Sequence, residues 1–249
     1  MGANNCNFIY RKPKSEEEDR KDFYQTIPHM SFALLDVLKE NFSPETRVLD
    51  CCAGNHSISN VLKTYFHTVD EIDLFYSNNP IDFLTYFPLD MKEEVYEDID
   101  HFCRYFTKKE LEKTKENPEK YFKFYEGEKY PLIVANSPFT SKWKFIEHAL
   151  DIGGTFATLF PGLSLNYNIT GDYKKRKEYC GSIPMYPKVI LSEELSEDGS
   201  FVQSGTQNYN WFLFDNTWHE HQSKFRFPVE IVKDLHDYDK KVADFLDKK

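Results

Sequence analysis

Short apolar runs bounded by turn residues recur along the chain. Several of these runs are dense enough to predict strands that are covered on both faces of a sheet. The runs that predict strands are Val48 to Cys52, Val69 to Leu74, Tyr130 to Ala135, Thr155 to Phe160, Val189 to Leu191 and Tyr209 to Phe214. None of them contains the strict period of an amphipathic helix.

Segments with apolar residues at helical spacing separate these runs. Residues 29–41, 57–64 and 142–150 predict helices, and Gly153-Gly154 is expected to end the last of them. Strand and helix therefore alternate repeatedly, which is typical of an α/β domain with a largely parallel sheet. No internal repeat is visible in the sequence.

Two segments depart from this alternation. Residues 1–21 are polar and charged with little periodicity, and we expect them to form a flexible N-terminal arm. Residues 91–129 are rich in Glu, Lys and aromatic residues and contain the break Asn117-Pro118, so they predict a helical insertion packed on the core through an aromatic face. We expect residues 22–249 to form one domain that carries this insertion.

Size and cysteine usage narrow the class of protein. The chain has 249 residues and a mass of 29.5 kDa, which suits one α/β domain. No apolar run approaches the roughly 18 residues that a membrane helix needs, and the start of the chain lacks a secretory signal, so we expect an intracellular protein without a membrane partner. The five cysteines have no Cys-x-x-Cys spacing, and we expect neither disulfides nor a metal site.

The formal net charge of −10 is unfavourable for a nucleic-acid partner, because contacts to phosphates supply most of the nonspecific affinity. A local basic surface would have to compensate. The candidates for phosphate contacts are Lys142, beside an aromatic turn, and the run Lys174, Lys175, Arg176 and Lys177. The alternative for such a run is a solvated loop, which composition alone favours.

Two turns follow predicted buried strands and carry the candidate chemistry. Asp50-Cys51-Cys52-Ala53-Gly54 is an acidic turn in which Gly54 allows a ligand to approach the backbone and Asp50 can bind an amine. Asn136-Ser137-Pro138-Phe139 offers two acceptors for one amino group and an aromatic face for the ring that bears it. Ligands of open α/β sheets bind at the carboxyl ends of strands, so we expect both turns to face one cleft.

Further acidic residues extend this pattern. Asp73 lies about 20 residues beyond the glycine turn, near a strand end, where a carboxylate can accept hydrogen bonds from ribose hydroxyls. Asp82 with Phe83 can receive an adenine ring through the carboxylate and by stacking. The absence of Gly-x-Gly-x-x-Gly argues against a nicotinamide or flavin cofactor, and the acidic residues favour a cofactor with a cationic or neutral centre.

These segments resemble class I methyltransferases that depend on S-adenosylmethionine, specifically the N6-adenine DNA methyltransferases of phage and microbial type. Phe23 to Pro28 is similar to that family's F-x-x-T-P element, Asp50 to Gly54 to its D-P-C-A-G turn, and Asn136 to Phe139 to its N-P-P-F loop. Tyr209 to Asp215 looks like its late strand A-W-F-V-W-D. The chain departs from the pattern at His56, where the family usually has a glycine, and at Ser137, where it has a proline.

The resemblance implies a Rossmann-like fold with a mostly parallel seven-stranded sheet flanked by helices. It implies S-adenosylmethionine as the cofactor and double-stranded DNA with a flipped adenine as the partner. The residues implied in cofactor binding are Phe23, Thr26, Pro28, Asp50, Cys51, Ala53, Gly54, Asp73, Asp82 and Phe83. The residues implied in catalysis are Asn136, Ser137, Pro138 and Phe139, with direct methyl transfer and no metal.

Two alternatives remain open at the level of sequence. The same loop could present another planar amine to the cofactor, such as cytosine N4, an RNA base or a protein glutamine. A binding or scaffold protein that kept the fold and lost catalysis would also fit His56, Ser137 and the net acidity.

Overall fold

The computed structural model describes residues 26–75, 80–139, 141–161, 179–186, 209–216 and 233–248. The helices are α1 (Pro28–Leu38), α2 (Ser59–Leu62), α3 (Lys92–Glu97), α4 (Ile99–Phe102), α5 (Lys108–Glu116), α6 (Pro118–Tyr121), α7 (Lys142–Ile152) and α8 (Asp239–Leu246). The strands are β1 (Val48–Asp50), β2 (Val69–Glu71), β3 (Tyr86–Pro88), β4 (Lys123–Tyr125), β5 (Tyr130–Ala135), β6 (Gly153–Pro161), β7 (Tyr179–Tyr186), β8 (Tyr209–Asp215) and β9 (Lys233–Asp234). Short 3₁₀ turns lie at Phe83–Thr85, Leu89–Met91 and Leu235–Tyr238.

Seven strands form one sheet in the order β2-β1-β5-β6-β8-β7-β9. Strands β2, β1, β5 and β6 are parallel to one another, and β8 is antiparallel to both β6 and β7. This arrangement confirms the mostly parallel seven-stranded sheet that the sequence predicts. The predicted strand at Val189 to Leu191 and the N-terminal arm lie outside the described residues.

Helices cover both faces of this sheet because its strands alternate their side chains between two apolar layers. On β5, Leu132 and Val134 pack in one layer with α1 and α2, whereas Ile133 and Ala135 pack in the other with α7. The Trp211 indole N–H of β8 donates to the Met30 carbonyl of α1 at 2.9 Å, which ties the first layer together. Within the described ranges, no helix has both the length and the apolar composition needed to cross a bilayer.

The segment predicted as a helical insertion contains α3, α4, α5 and α6 and ends in β4, which pairs in parallel with β3. The sequence analysis did not predict this two-stranded sheet. Phe87 of β3 lies at the centre of the aromatic face, with its ring centroid 5.7 Å from that of Phe102 and 5.5 Å from that of Phe122. The insertion therefore packs on the second apolar layer, beside α7.

His148 of α7 joins the insertion to the core. Its Nδ1 lies 2.6 Å from the Tyr105 hydroxyl and its Nε2 lies 3.1 Å from the Tyr86 carbonyl. Since a carbonyl only accepts, Nε2 carries the proton and Nδ1 accepts from Tyr105. Burial lowers the pKa of His148 to about 3, so the ring is neutral in the folded protein at pH 7.

This neutral histidine predicts a loss of stability in acid. Because its folded pKa lies below its unfolded value, the unfolded chain binds the extra proton as the pH falls below about 6.5. We expect the difference in unfolding free energy between wild type and His148→Gln to shift against the wild type by about 1.4 kcal/mol per pH unit. Urea unfolding of both proteins from about pH 7 to about pH 4 measures it. A difference that stays constant over this range would exclude the buried neutral ring.

Candidate active site

The two candidate turns lie side by side at the carboxyl edge of the parallel strands. Strand β1 has β2 on one side and β5 on the other, so the sheet order reverses direction between β1 and β5. Asp50, the last residue of β1, is in register with Glu71 of β2 and Val134 of β5. Neighbouring strands are about 5 Å apart, so the chain leaves β1 and β5 at adjacent points. This is the topological switch point at which open α/β sheets bind ligands.

The turn after β1 is fastened to both neighbouring strands through its main chain. The Cys51 N–H donates to the Val134 carbonyl at 3.0 Å, and the Ala53 N–H donates to the Ile72 carbonyl at 3.1 Å. Cys51 is 3% exposed, and burial raises the pKa of its thiol well above the usual value. Cys51 is therefore a neutral packing residue of the turn, and its reactivity as a nucleophile is low.

Gly54 closes the turn in a left-handed conformation, with φ of +50°. Its N–H donates to Oδ2 of Asp73 at 2.9 Å, and the other oxygen, Oδ1, accepts the N–H of Phe75 at 2.7 Å. Asp73, which the sequence analysis expects to bind ribose hydroxyls, thus contacts the glycine turn directly. Each of its oxygens accepts a main-chain N–H, so this carboxylate braces the turn and the loop after β2.

Asp50 differs from the expected amine ligand. Its side chain is fully buried, with one oxygen accepting the Cys52 N–H at 3.4 Å and the other accepting the Ser59 N–H at 3.2 Å. Burial raises the pKa of Asp50 to about 7, and the negative charge of Glu71 adds to the rise. The carboxylate faces the interior because it satisfies N–H groups of the turn and of the start of α2. Asp50 therefore supports the turn from the protein interior and does not line the site.

Asp82 and Phe83 belong to a 3₁₀ turn, and the structure separates their roles. Asp82 is partly exposed and accepts the Leu84 N–H at 3.0 Å, and burial raises its pKa. The Phe83 ring is 2% exposed and stacks on Phe145 with centroids 5.3 Å apart. The expected stacking of this ring on an adenine is therefore corrected, because the ring belongs to the core.

The carboxylates of Asp50 and Asp73 accept hydrogen bonds from main-chain N–H groups of the turn after β1. The contact with Cys51 lowers the pKa of Cys52, but burial and the negative charges of Asp50, Asp73 and Asp82 outweigh it and raise that pKa. The raised pKa of Cys52 thus indicates an acidic environment at the carboxyl end of β1. Such an environment favours a cationic ligand and disfavours a phosphate.

The loop after β5 starts at Asn136, which is partly exposed. Ser137 is 1% exposed, and its hydroxyl lies 3.1 Å from that of Thr158 on β6. This contact fixes the loop at the position where the resembling family has a proline. Pro138 is partly exposed, and its carbonyl accepts the Ser141 N–H at 3.0 Å, which leads the chain into α7.

Phe139 presents a partly exposed ring at the end of this loop. Its centroid lies 6.2 Å from that of Phe160 and 6.3 Å from that of Tyr209, so aromatic side chains of β6 and β8 support it. Lys142, the first residue of α7, has its Nζ 5.9 Å from the Phe160 centroid. Burial lowers the pKa of Lys142. A half-buried amine thus stands close to the aromatic end of the loop.

Other predicted site residues lie elsewhere or outside the described ranges. Thr26 and Pro28 are buried at the start of α1, on the face of the sheet that α1 covers. Phe23 and the run from Lys174 to Lys177 lie outside the described residues. In the part of the chain that the structure describes, no three His, Cys, Asp or Glu side chains converge as metal ligands would.

Glu71, which the sequence analysis did not single out, also lies beside the turn after β1. Glu71 is the last residue of β2 and is level with Asp50 at the carboxyl edge. Its Oε1 lies 3.0 Å from Nδ1 of His56 and 2.9 Å from Nζ of Lys63. Three acidic residues, Asp70, Glu71 and Asp73, follow Val69, and spacing alone did not show which carboxylate accepts main-chain N–H groups.

His56 does not fill the gap between β1 and β5. Its side chain is 52% exposed and contacts Glu71, and β2 lies on the side of β1 opposite β5. The imidazole therefore lies on the β2 side of the turn. The departure from glycine at this position therefore places no side chain between the turn and the Asn136 loop.

No protein-family model and no curated protein matches the sequence. Solved structures with a similar fold include the 23S rRNA methyltransferase ErmE, with 11% identity over 88% of this chain and 77% of that one and a TM-score of 0.39. The M protein of the type I restriction enzyme EcoKI has 12% identity over 80% of this chain and 45% of its own, with a TM-score of 0.41. An rRNA methylase from Streptococcus thermophilus has 15% identity, covers 78% of this chain and 98% of its own, and has a TM-score of 0.37. At this level the similarity extends to the fold alone.

Proposed function

We propose that this chain is an S-adenosylmethionine-dependent methyltransferase that acts on the N6 amino group of adenine in DNA. The observation that carries the proposal is the position of the two turns. The acidic turn that begins at Asp50 and the loop that begins at Asn136 leave adjacent parallel strands at the switch point of the sheet. A cofactor held by the first turn therefore meets a planar amine held by the second.

The residues around the first turn fit the chemistry of this cofactor. S-adenosylmethionine carries a cationic sulfonium and an ammonium group, and the carboxylates of Asp50 and Asp73 accept hydrogen bonds from N–H groups of the turn. Gly54 removes the side chain where the backbone approaches a ligand. A pyrophosphate would be repelled by the same charges, which argues against a dinucleotide.

We assign Glu71 to the ribose hydroxyls of the cofactor. Asp73, to which the sequence analysis gave this role, accepts a main-chain N–H on each oxygen. The His56 and Lys63 contacts of Glu71 both involve Oε1. A carboxylate has about four acceptor sites, so Oε2 retains the capacity to accept from a diol. An acidic residue at the end of the second strand is the usual ribose acceptor in dinucleotide-binding sheets as well.

The Asn136 loop supplies the catalytic groups. The Asn136 side-chain oxygen and the Ser137 carbonyl would accept hydrogen bonds from the two N–H groups of N6, which draws the nitrogen lone pair out of conjugation with the ring. Phe139 would stack on the base, braced by Phe160 and Tyr209. When bound, the cofactor supplies an electrophilic methyl group. The contribution of the chain is to hold the amine in line with that group, which raises the rate through positioning.

A base can reach this loop only after it leaves a duplex, because the acceptors lie at the edge of the sheet and the target atom lies inside the stack. Lys142 stands next to the aromatic end of the loop and is suited to contact a flanking phosphate. The charge of −10 makes such local contacts necessary.

Two measurements test the proposal. Calorimetric titration with S-adenosylhomocysteine tests the cofactor, and incubation with methyl-labelled S-adenosylmethionine and DNA, RNA or protein, each separately, tests the acceptor. We expect binding heat and label in DNA that is recovered as N6-methyladenine. Label in RNA, in cytosine or in protein would assign the loop to another planar amine. An absence of binding heat would favour a scaffold with this fold.

The Ser137 hydroxyl gives a prediction about loop rigidity. Ser137→Ala removes the contact with Thr158 and leaves a buried hydroxyl without its partner. We expect kcat to fall about tenfold, because the loop then holds the amine less firmly, with the cofactor Kd unchanged. Ser141→Ala is the matched control, since that side chain makes no capping hydrogen bond at α7. Equal kcat values for the two variants would rule out a role for the Thr158 contact.

A further inference from the structure

His56 adopts a backbone conformation that is costly for its residue type. Its φ of +66° lies in the left-handed region, and no other non-glycine residue in the described ranges has a positive φ. A glycine would occupy this conformation freely, whereas a residue with a Cβ is strained there. Residues held in such conformations persist where surrounding contacts fix them, and they concentrate at functional sites.

Both the main chain and the side chain of His56 make contacts that fix it. The His56 N–H donates to the Ala53 carbonyl at 2.6 Å, which closes the turn after β1. Its Nδ1 lies 3.0 Å from Oε1 of Glu71, at the end of β2. One residue therefore couples the cofactor turn to the neighbouring strand end. A glycine could make the first contact but not the second.

The side chain of Glu71 is less exposed than the side chains of its two partners, His56 and Lys63. The side-chain exposure of Glu71 is 22%, compared with 52% for His56 and 44% for Lys63. Both partners contact the same oxygen, Oε1. These two contacts hold Oε1 of Glu71 at the β2 side of the turn in the absence of a ligand.

We propose that His56 is a positioning residue that holds the Glu71 carboxylate ready to accept the hydroxyls of the cofactor ribose. The proposal rests on the proposed function, because it requires a ribose-bearing cofactor at this edge of the sheet. The contact with Glu71 provides a reason for the strained backbone of His56. Preorganisation of an acceptor increases affinity by lowering the ordering cost of binding.

A comparison of two ligands tests this role. Calorimetry would measure the Kd of S-adenosylhomocysteine and of its 2′,3′-dideoxy analogue for wild type, His56→Gly, Glu71→Gln and the control His67→Gly, which changes an exposed histidine elsewhere. We expect the wild type and the control to prefer the hydroxylated ligand by about tenfold or more, since hydrogen bonds to a charged acceptor are strong. In His56→Gly and Glu71→Gln, we expect the preference to fall to about twofold, while the analogue binds about as well as before.

His56→Gly should fold, because glycine is favoured at a positive φ. Its thermal midpoint provides the check on folding. If the wild type binds neither ligand, the proposed function fails and the role of His56 fails with it. If the wild type binds and distinguishes the ligands, but His56→Gly keeps the full preference, only the role of His56 is overturned. A variant that weakens both ligands equally would also overturn it, since His56 would then only maintain the turn.

Discussion

Replacing Asn136 by alanine is expected to abolish methyl transfer while leaving the affinity for the cofactor unchanged. Asn136 leaves β5 at the carboxyl edge and begins the loop that ends at Phe139. Without the Asn136 side-chain oxygen, the substrate amine has one hydrogen-bond acceptor in place of two. The lone pair of the amine is then no longer directed at the methyl group. We expect the rate of a single turnover to fall about 10³-fold or more.

The cofactor Kd of Asn136→Ala provides the internal reference. It should stay within about twofold of the wild type, because the proposed cofactor contacts come from the turn after β1 and from β2. Asn216→Ala is a control at the opposite edge of the sheet, where the Asn216 side chain donates to the Leu150 and Gly153 carbonyls. Its rate per folded molecule should equal that of the wild type. A single-turnover rate of Asn136→Ala within about tenfold of the wild-type rate would show that this loop does not supply the catalytic acceptor.

Replacing Asp50 by alanine is expected to destabilise the protein and to remove cofactor binding together. The Asp50 carboxylate is fully buried and accepts the N–H groups of Cys52 and Ser59. Alanine leaves both N–H groups unsatisfied at the head of β1, which costs about 3 kcal/mol of unfolding free energy. The turn that holds Gly54 loses its internal support, and we expect the Kd for S-adenosylhomocysteine to rise by about 10²-fold or more.

Asp50→Asn separates the shape of this side chain from its charge. Asparagine keeps one acceptor oxygen at the same site, so cofactor binding should stay within about tenfold of the wild type. The raised pKa of Asp50, about 7, means that its ionisation disfavours the folded state. Its stability contribution is therefore full below about pH 4 and is lost as the pH rises to about 7, so Asp50→Asn should gain on the wild type over that range. Denaturant titration at several pH values measures this trend. If Asp50→Ala binds the cofactor as the wild type does, Asp50 does not support the site.

The sequence predicted the strands that define the site because they are the most continuous apolar runs. Tyr130 to Ala135 matched β5 fully, and Val48 to Cys52 contained β1. Strand β7 was missed because Tyr179–Tyr186 includes a glycine and a proline, which are rare in strands. Strand β4 was missed because Lys123–Tyr125 has only three residues and lies among helical signals. The local sequence pattern gives little information about such short elements, since pairing with distant strands determines whether they form a strand.

For the site, residue type and strand position predicted the acidic turn and the Asn136 loop, but not the direction of each side chain. Asp50 faces inward because two N–H groups of its own turn need an acceptor, and the sequence does not show that need. Phe83 stacks in the core because Phe145 of α7 lies next to it, a contact between distant parts of the chain. Glu71 and Asp73 were distinguishable only after the hydrogen bonds of Asp73 were known.

A crystal structure of the protein with S-adenosylhomocysteine would show where the cofactor binds. We expect the ligand to lie between the Gly54 turn and the Asn136 loop, with its ribose hydroxyls on Glu71 and its sulfur facing Asn136. A ligand bound away from the gap between β1 and β5, or a sulfur separated from Asn136 by protein, would contradict the proposed methyl transfer at this site.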